Sequence, residues 1–208
     1  MRNTNIKYII FDWSGVINDS ISTHLCVVNK IFNKFGIDEI SLKELKDNWE
    51  QPYMYFYNKY LPELSMKEEE VIYKKSVFEC PEGRPYPGIV NVLKEFKKKG
   101  IKMVVLSSDY SETLMPQIKS FGLDNVFIDI IFGVHDKSKG IHKLITKNNF
   151  KIDKTIFIGD SNHEIEVGKR VGVKTGAVTW GFSSKKKLKA LKPDFLIDNI
   201  DDLKSINF

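Results

Sequence analysis

Residues 6–16 read IKYIIFDWSGV, and their interpretation decides the fold. Residues 6–10 are a short apolar run, Asp12 follows it closely, and Gly15 frees the chain to turn sharply and present that carboxylate to a ligand. A second run, TIFIG at 155–159, ends in Asp160, Ser161, Asn162, His163 and Glu164. Two strands therefore carry carboxylates at their C-terminal ends. In an open parallel sheet those ends border the crevice where ligands bind, so acidic strand tips with a hydroxyl and a lysine between them suggest a phosphate site holding a metal.

From residue 85 onward helix and strand alternate with short connections, the signature of βαβ units. Helix 88–99 precedes strand 101–106, helix 111–121 an apolar run at 126–132, helix 139–149 strand 155–159, and helix 163–171 strand 173–178; a last strand lies near 195–197. Gly100, Gly122 and Gly172 fall just after helical periods, where positive φ is often required. Residues 20–82 differ, with helical periodicity, caps at Ser41 with Glu44 and Ser65 with Glu68, and no convincing strand. The expected fold class is α/β: a Rossmann-like parallel sheet with helices on both faces, formed by residues 1–17 and 83–208. Residues 18–82 are expected to form a small inserted all-helical cap over the tip of the first strand.

The chain has 208 residues, 42% hydrophobic and 28% charged, enough for one full core and a small extra lobe. No stretch approaches the ~20 apolar residues that span a bilayer, and the polar RNTN precedes the first run, so a cytoplasmic protein without a membrane partner is expected. The net charge of +5 comes almost wholly from lysine, arginine appearing only at positions 2, 84 and 170. Lysine runs at 97–99 and 185–187 lie near helix ends without aromatic interleaving, which reads as solvated helix termini and not as a nucleic-acid surface. Cys26 and Cys80 lack metal-ligand spacing and are expected to be buried free thiols.

Ser107 and Ser108 end the strand at 101–106 and can offer hydroxyl and N–H donors to phosphate oxygens, although serine is also an ordinary helix cap. Lys139, before Gly140, supplies a point charge for a phosphate or for Asp12, with Lys137 as the alternative. Asp160 and Glu164, four apart at a strand-to-helix junction, can converge on a divalent cation that Asp12 also touches. Helix-terminal charge compensation accounts for Glu164 but less well for an acid directly after a Gly-ended strand. Tyr53, Tyr55, Phe56, Tyr57 and Tyr60 read as the core of the small lobe more than as a specificity pocket. His24, His135, His142 and His163 are assigned no catalytic role, and Asp109, next to Ser108, is either a binding residue near the site or, as the plainer account, an N-terminal helix carboxylate.

Taken in order, these segments resemble the four motifs of the haloacid dehalogenase superfamily, mostly Mg²⁺-dependent phosphatases, over residues 6–182. DWSGVINDS resembles the first motif, Ser107 the second, Lys139 the third and GDSNHE the fourth. The helical insertion between motifs one and two is similar to that of the phosphoglycolate phosphatase-like branch. The resemblance implies that Asp12 attacks phosphorus to form an acyl phosphate that water then cleaves. It also implies Mg²⁺ held by Asp12, the Ser14 backbone carbonyl, Asp160 and Glu164, oxygen ligands that suit a hard cation. Ser107, Ser108 and Lys139 would hold the transferring group of a small phosphorylated metabolite.

One position departs from the pattern. Phosphatases of the family carry a second aspartate two residues after the nucleophile as general acid and base, and here Ser14 stands in that catalytic place. Such help is worth about 10²- to 10⁴-fold, so slow turnover or a phosphate-binding regulatory protein is one alternative. The other is a phosphonoacetaldehyde hydrolase-like enzyme, similar in Trp13 and Ser14, which needs a cap lysine such as Lys43, Lys46 or Lys59 to form a Schiff base. Substrate identity, and whether the chain is monomer or homodimer, stay open.

Overall fold

The computed structural model describes residues 6–134 and 136–206, which leaves His135 outside the described residues. The run that opens the chain becomes β1 (Tyr8–Phe11), flanked by β4 (Lys102–Leu106) and β6 (Thr155–Gly159). The sheet continues through β5 (Asp129–Ile131) beyond β4, and through β7 (Lys174–Val178) and β8 (Phe195–Ile197) beyond β6. Every pairing in this six-stranded sheet is parallel.

Parallel strands covered on both faces need apolar side chains on both faces, and β1 supplies them. Ile9 and Phe11 pack with Val92, Leu93 and Phe96 of α5 (Ile89–Lys98) and with Leu114 and Ile118 of α6 (Ser111–Ser120). Ile10 points the other way, onto Ile141 and Leu144 of α7 (Lys137–Asn148) and Val167 of α8 (Asn162–Val171). A short α9 (Lys185–Ala190) seals the far edge with Leu188 against Ile165 and Ala177. Gly100, Gly122 and Gly172 do adopt left-handed φ of 77°, 67° and 89° at their helix ends. Among the described residues no helix is long and apolar enough to cross a membrane.

Between β1 and α5 lie four helices, α1 (Ile21–Lys34), α2 (Leu42–Asn48), α3 (Met54–Tyr60) and α4 (Met66–Ser76), followed by a 3₁₀ turn at Val77–Glu79. They form a second apolar cluster that includes Val28, Ile31, Phe32, Leu45, Trp49 and Phe56. Ser41 and Ser65 cap their helices, each accepting from the N–H three residues on, and Glu68 returns the bond to Ser65. Where the chain enters and leaves this lobe, β2 (Asn18–Asp19) pairs antiparallel with β3 (Arg84–Pro85). A two-residue strand has no periodicity to read, so this ribbon was not foreseen.

Two expectations need correcting. Cys26 and Cys80 are not free thiols but a disulfide, with Cα atoms 5.8 Å apart. The intervening chain, across a sequence separation of 54, folds back on itself, so α1 and the end of the 3₁₀ turn become neighbours, an adjacency that linear spacing does not encode. Helix α7 starts at Lys137 and not at 139, because the Asp136 side chain accepts from the Lys139 N–H at 3.2 Å and so caps the helix two residues earlier.

Candidate active site

The C-terminal ends of β4, β1 and β6 lie side by side, and each ends in a polar residue buried in the crevice: Ser107, Asp12 and Asp160. Glu164 joins them from the first turn of α8. One carboxylate oxygen from each of Asp12, Asp160 and Glu164 lies within 4.8 Å of the others. Glycines permit this crowding. A Cβ on Gly15, itself at φ 79°, or on Gly181 would collide with the Asp160 carboxylate, and one on Gly159 would collide with Glu164.

The lysine of the cluster is Lys137. Its Nζ donates to Asp12 Oδ2 at 2.8 Å and to Glu164 Oε1 at 2.6 Å, and its side chain is 3% exposed. Lys139, the residue chosen from the sequence, is 88% exposed and pairs with Asp136 on the surface. The two-residue difference follows from the early helix start: position 137 opens the helix toward the sheet, whereas 139 faces outward. Glu164 is tied on its other oxygen by the N–H (3.0 Å) and hydroxyl (2.5 Å) of Ser161. Asp160 accepts the Phe182 N–H at 2.6 Å, and Asp12 accepts the Trp13 N–H at 2.8 Å.

Three buried carboxylates face one ammonium, and their proton affinities register the imbalance. Burial pushes Asp12 up to about 7 even with Lys137 beside it. Asp160 rises well above the usual carboxylate range through burial and the charges of Glu164 and Asp12. Burial works against the charge on Glu164 as well, but Lys137 and Ser161 override it and bring it to about 2. Lys137 stays protonated because the two carboxylates outweigh its own desolvation. Oxygen-only donors with surplus negative charge fit a hard divalent cation, which would relieve the strain on Asp12 and Asp160.

Ser14 leaves β1 one turn beyond Asp12 and donates its hydroxyl to Asp109 Oδ2 at 2.8 Å. The Ser107 hydroxyl donates to the same oxygen at 3.0 Å, while Ser107 Oγ accepts the Asp109 N–H. Ser108 lines the cleft beside them. Trp13 turns away from all of this: it is buried, stacks on Phe121 and donates to Gln117 at 2.7 Å.

The helical lobe stands over the cleft. The backbone of Gln51 meets the Asn162 side chain through two hydrogen bonds of 3.4 Å, and Phe182 inserts from the sheet side against Trp49 and His24. A cavity of about 60 Å³ lies between, walled by Trp49, Tyr53, Tyr57, Glu69, Tyr73 and Asp109. A second cavity shares Gln51, Tyr53 and Ser108 with it and reaches Lys137 and His163. The cap lysines Lys43, Lys46 and Lys59 line neither one; Lys43 pairs with Asp47 and Lys59 with Glu50 at the surface.

Comparison with known proteins agrees with this geometry. Residues 9–178 match the family model described as haloacid dehalogenase-like hydrolase. The chain belongs to that family. Relatives of this hydrolase include a phosphoglycolate phosphatase of Synechococcus elongatus, 23% identical over 95% of both chains. A pyrophosphatase PpaX of Halalkalibacterium halodurans is 29% identical over 59% of both. Among solved structures, a haloacid dehalogenase-like family protein of Streptococcus pneumoniae superposes with a TM-score of 0.82 at 21% identity, covering 97% of this chain and 98% of that one.

In this haloacid dehalogenase-like hydrolase, two residues of the cleft escaped the sequence reading, and the partner of a third did. Phe182 sits in a loop with no motif. Glu69 lies in an acidic helical run, EEEV, where only its burial singles it out. Asp109 was visible next to Ser108, but its link to Ser14 spans 95 residues of sequence.

Proposed function

We propose that this chain is a Mg²⁺-dependent phosphohydrolase for a small phosphorylated metabolite, with Asp12 as the nucleophile. The observation that carries the reading is Lys137 bridging Asp12 and Glu164 beside Asp160, at the C-terminal edge of the central strands.

Asp12, Asp160 and the Ser14 backbone carbonyl are the residues that would hold the cation, with Glu164 contributing charge. Bound there, Mg²⁺ would neutralise the phosphoryl oxygens and the carboxylates together. Lys137 favours the ionised form of Asp12 against the burial that opposes it and, from the second cavity, presents positive charge to a phosphoryl group. Ser108, which lines both cavities just beyond the neighbouring strand β4, would supply hydroxyl and amide dipoles, whereas the N–H and hydroxyl of Ser107 are engaged by Ile131 and Asp109. Asp12 Oδ attacks phosphorus, the P–O bond to the alcohol breaks, and water later cleaves the acyl phosphate, returning the carboxylate and releasing phosphate. Ser14, fastened to Asp109, cannot protonate the leaving alcohol as an aspartate would, which favours slow turnover. A Schiff-base route receives no support, because no cap lysine lines the cleft. A cytoplasmic location suits a metabolite substrate, and there the Cys26–Cys80 bond would meet reducing conditions.

Purified protein should release phosphate from p-nitrophenyl phosphate with Mg²⁺, and Asp12→Asn should abolish the release. Activity that survives that substitution removes Asp12 as the nucleophile.

A further inference from the structure

The cavity beneath the helical lobe has an unusual charge pattern for a site that takes phosphate esters. Its walls contain two carboxylates, Glu69 and Asp109, and no lysine or arginine. His24 also faces it, but burial lowers its proton affinity, so it is neutral at neutral pH. The remaining walls are largely aromatic, and the rings stand at angles to one another. Tyr53 and Tyr57 are perpendicular at 6.2 Å between centroids, and Tyr73 and Tyr110 are inclined by 55° at 6.1 Å. Faces of electron-rich rings around a carboxylate make an environment that attracts a cation. At the rim this attraction is already in use, since Lys74 Nζ lies 4.3 Å from the Tyr110 ring centre.

Glu69 is the decisive wall residue. It is 3% exposed on α4, far from the carboxylates of the metal cluster in sequence and in role. Burial pushes it up to about 7, although hydrogen bonding with Tyr53 and Tyr57 pulls it back. A carboxylate this deep, without a basic partner among the cavity walls, gains most from a ligand that brings the missing positive charge.

The first cavity and the second one share Gln51, Tyr53 and Ser108, so a phosphate seated near Lys137 would project its alcohol portion toward Glu69. Phosphoglycolate or pyrophosphate, named for the relatives, would place a second anion against Glu69 and Asp109 with no cation to receive it. We propose that the substrate of this hydrolase is the phosphate ester of a small amino alcohol, its ammonium group held by Trp49, Tyr53, Tyr57 and Tyr73 with Glu69 as counter-charge. The reaction adds water across the P–O bond and yields the free amino alcohol and phosphate. This inference rests on the phosphohydrolase reading for the position of the phosphate, but the ammonium subsite can be tested without turnover.

The test compares choline with its neutral isostere 3,3-dimethylbutanol, and with glycolate, by calorimetric titration of the wild-type protein. Choline is expected to bind about tenfold tighter than the isostere, the size of a desolvated cation–π and ion-pair contribution, with glycolate weaker still. Glu69→Gln is expected to erase that preference. Equal binding of choline and the isostere, tighter binding of glycolate, or no binding of choline overturns the subsite. Phosphate release from p-nitrophenyl phosphate, measured in parallel, judges the hydrolase reading separately: a choline preference in a protein that cleaves no ester defeats that reading and with it the amino-alcohol phosphate as a substrate.

Discussion

Ser14 and Asp109, on neighbouring strand tips, share a hydrogen bond of 2.8 Å that places a carboxylate one hydroxyl away from the position where a second aspartate would stand. The same carboxylate oxygen accepts from Ser107, so a single side chain orients the hydroxyls of both serines. Asp109→Asn should lower kcat/KM for phosphate release by about tenfold through lost orientation, with little change in fold. Ser14→Asp restores the missing acid and base and should raise kcat by about 10²-fold. A wild-type rate that Ser14→Asp does not improve would show that protonation of the leaving group is not limiting.

Lys137 and Lys139 differ by two positions and by nearly the whole range of exposure. Removing Lys137 leaves Asp12 and Glu164 buried without their cation, a loss of about 4 kcal/mol. Lys137→Met should therefore lower the denaturant midpoint sharply and abolish phosphate release. Lys139→Ala should leave both within about twofold, because its partner is a solvated Asp136. Equal effects from the two substitutions would return the choice between them to the start.

The surplus of carboxylates predicts stabilisation by a divalent ion. At a hundredfold excess over Kd, Mg²⁺ should raise the melting temperature by roughly 5–10 °C, and chelation should reverse it. Asp160→Asn should cancel the rise. Differential scanning fluorimetry with and without Mg²⁺ decides the matter, and an unchanged melting temperature in wild type speaks against a metal site.

Glu69 gives the stability curve a pH dependence of known sign. Its pKa is about 7 in the fold against an ordinary 4.5, set first by burial and then modulated by Tyr53, Glu70 and Tyr57. The folded chain thus keeps a proton that the unfolded chain has released, and that advantage, complete below about 4.5, disappears as pH rises through about 7. Glu69→Gln cannot lose it. The melting temperature of the variant relative to wild type should climb by a few degrees from pH 5 to pH 8, measured at constant Mg²⁺, and a flat difference would mean that Glu69 is ionised throughout.

The sheet was legible because strands β4 to β7 each follow a helix of ordinary length, and β1 and β6 lead directly into carboxylates at the crevice. The acidic cluster was legible for the same reason: Asp12, Asp160 and Glu164 are brought together by strand ends and one helical turn. Lys137 was blurred because a helix start can shift by two residues when a cap such as Asp136 is overlooked. What stayed hidden depends on the lobe's tertiary packing. Tyr53 and Tyr57 were assigned to the lobe core, and they do pack there, yet both also face the cavity, a dual role that spacing along α3 does not reveal. Tyr55 of the same run points to solvent.

The bond between Cys26 and Cys80 has a mechanical meaning. It lies just inside the lobe, while the paired strands Asn18–Asp19 and Arg84–Pro85 lie just outside, so the two chain passages are fastened together on both sides of the neck. While intact, the bond ties α1 to the end of the 3₁₀ turn that follows α4, which keeps the wall carrying His24 near the wall carrying Glu69. Away from that neck, the Gln51–Asn162 hydrogen bonds, the Lys187 ammonium on the Asp47 carbonyl and Phe182 against Trp49 hold the lobe down on the core, so lobe and core meet at two separate places.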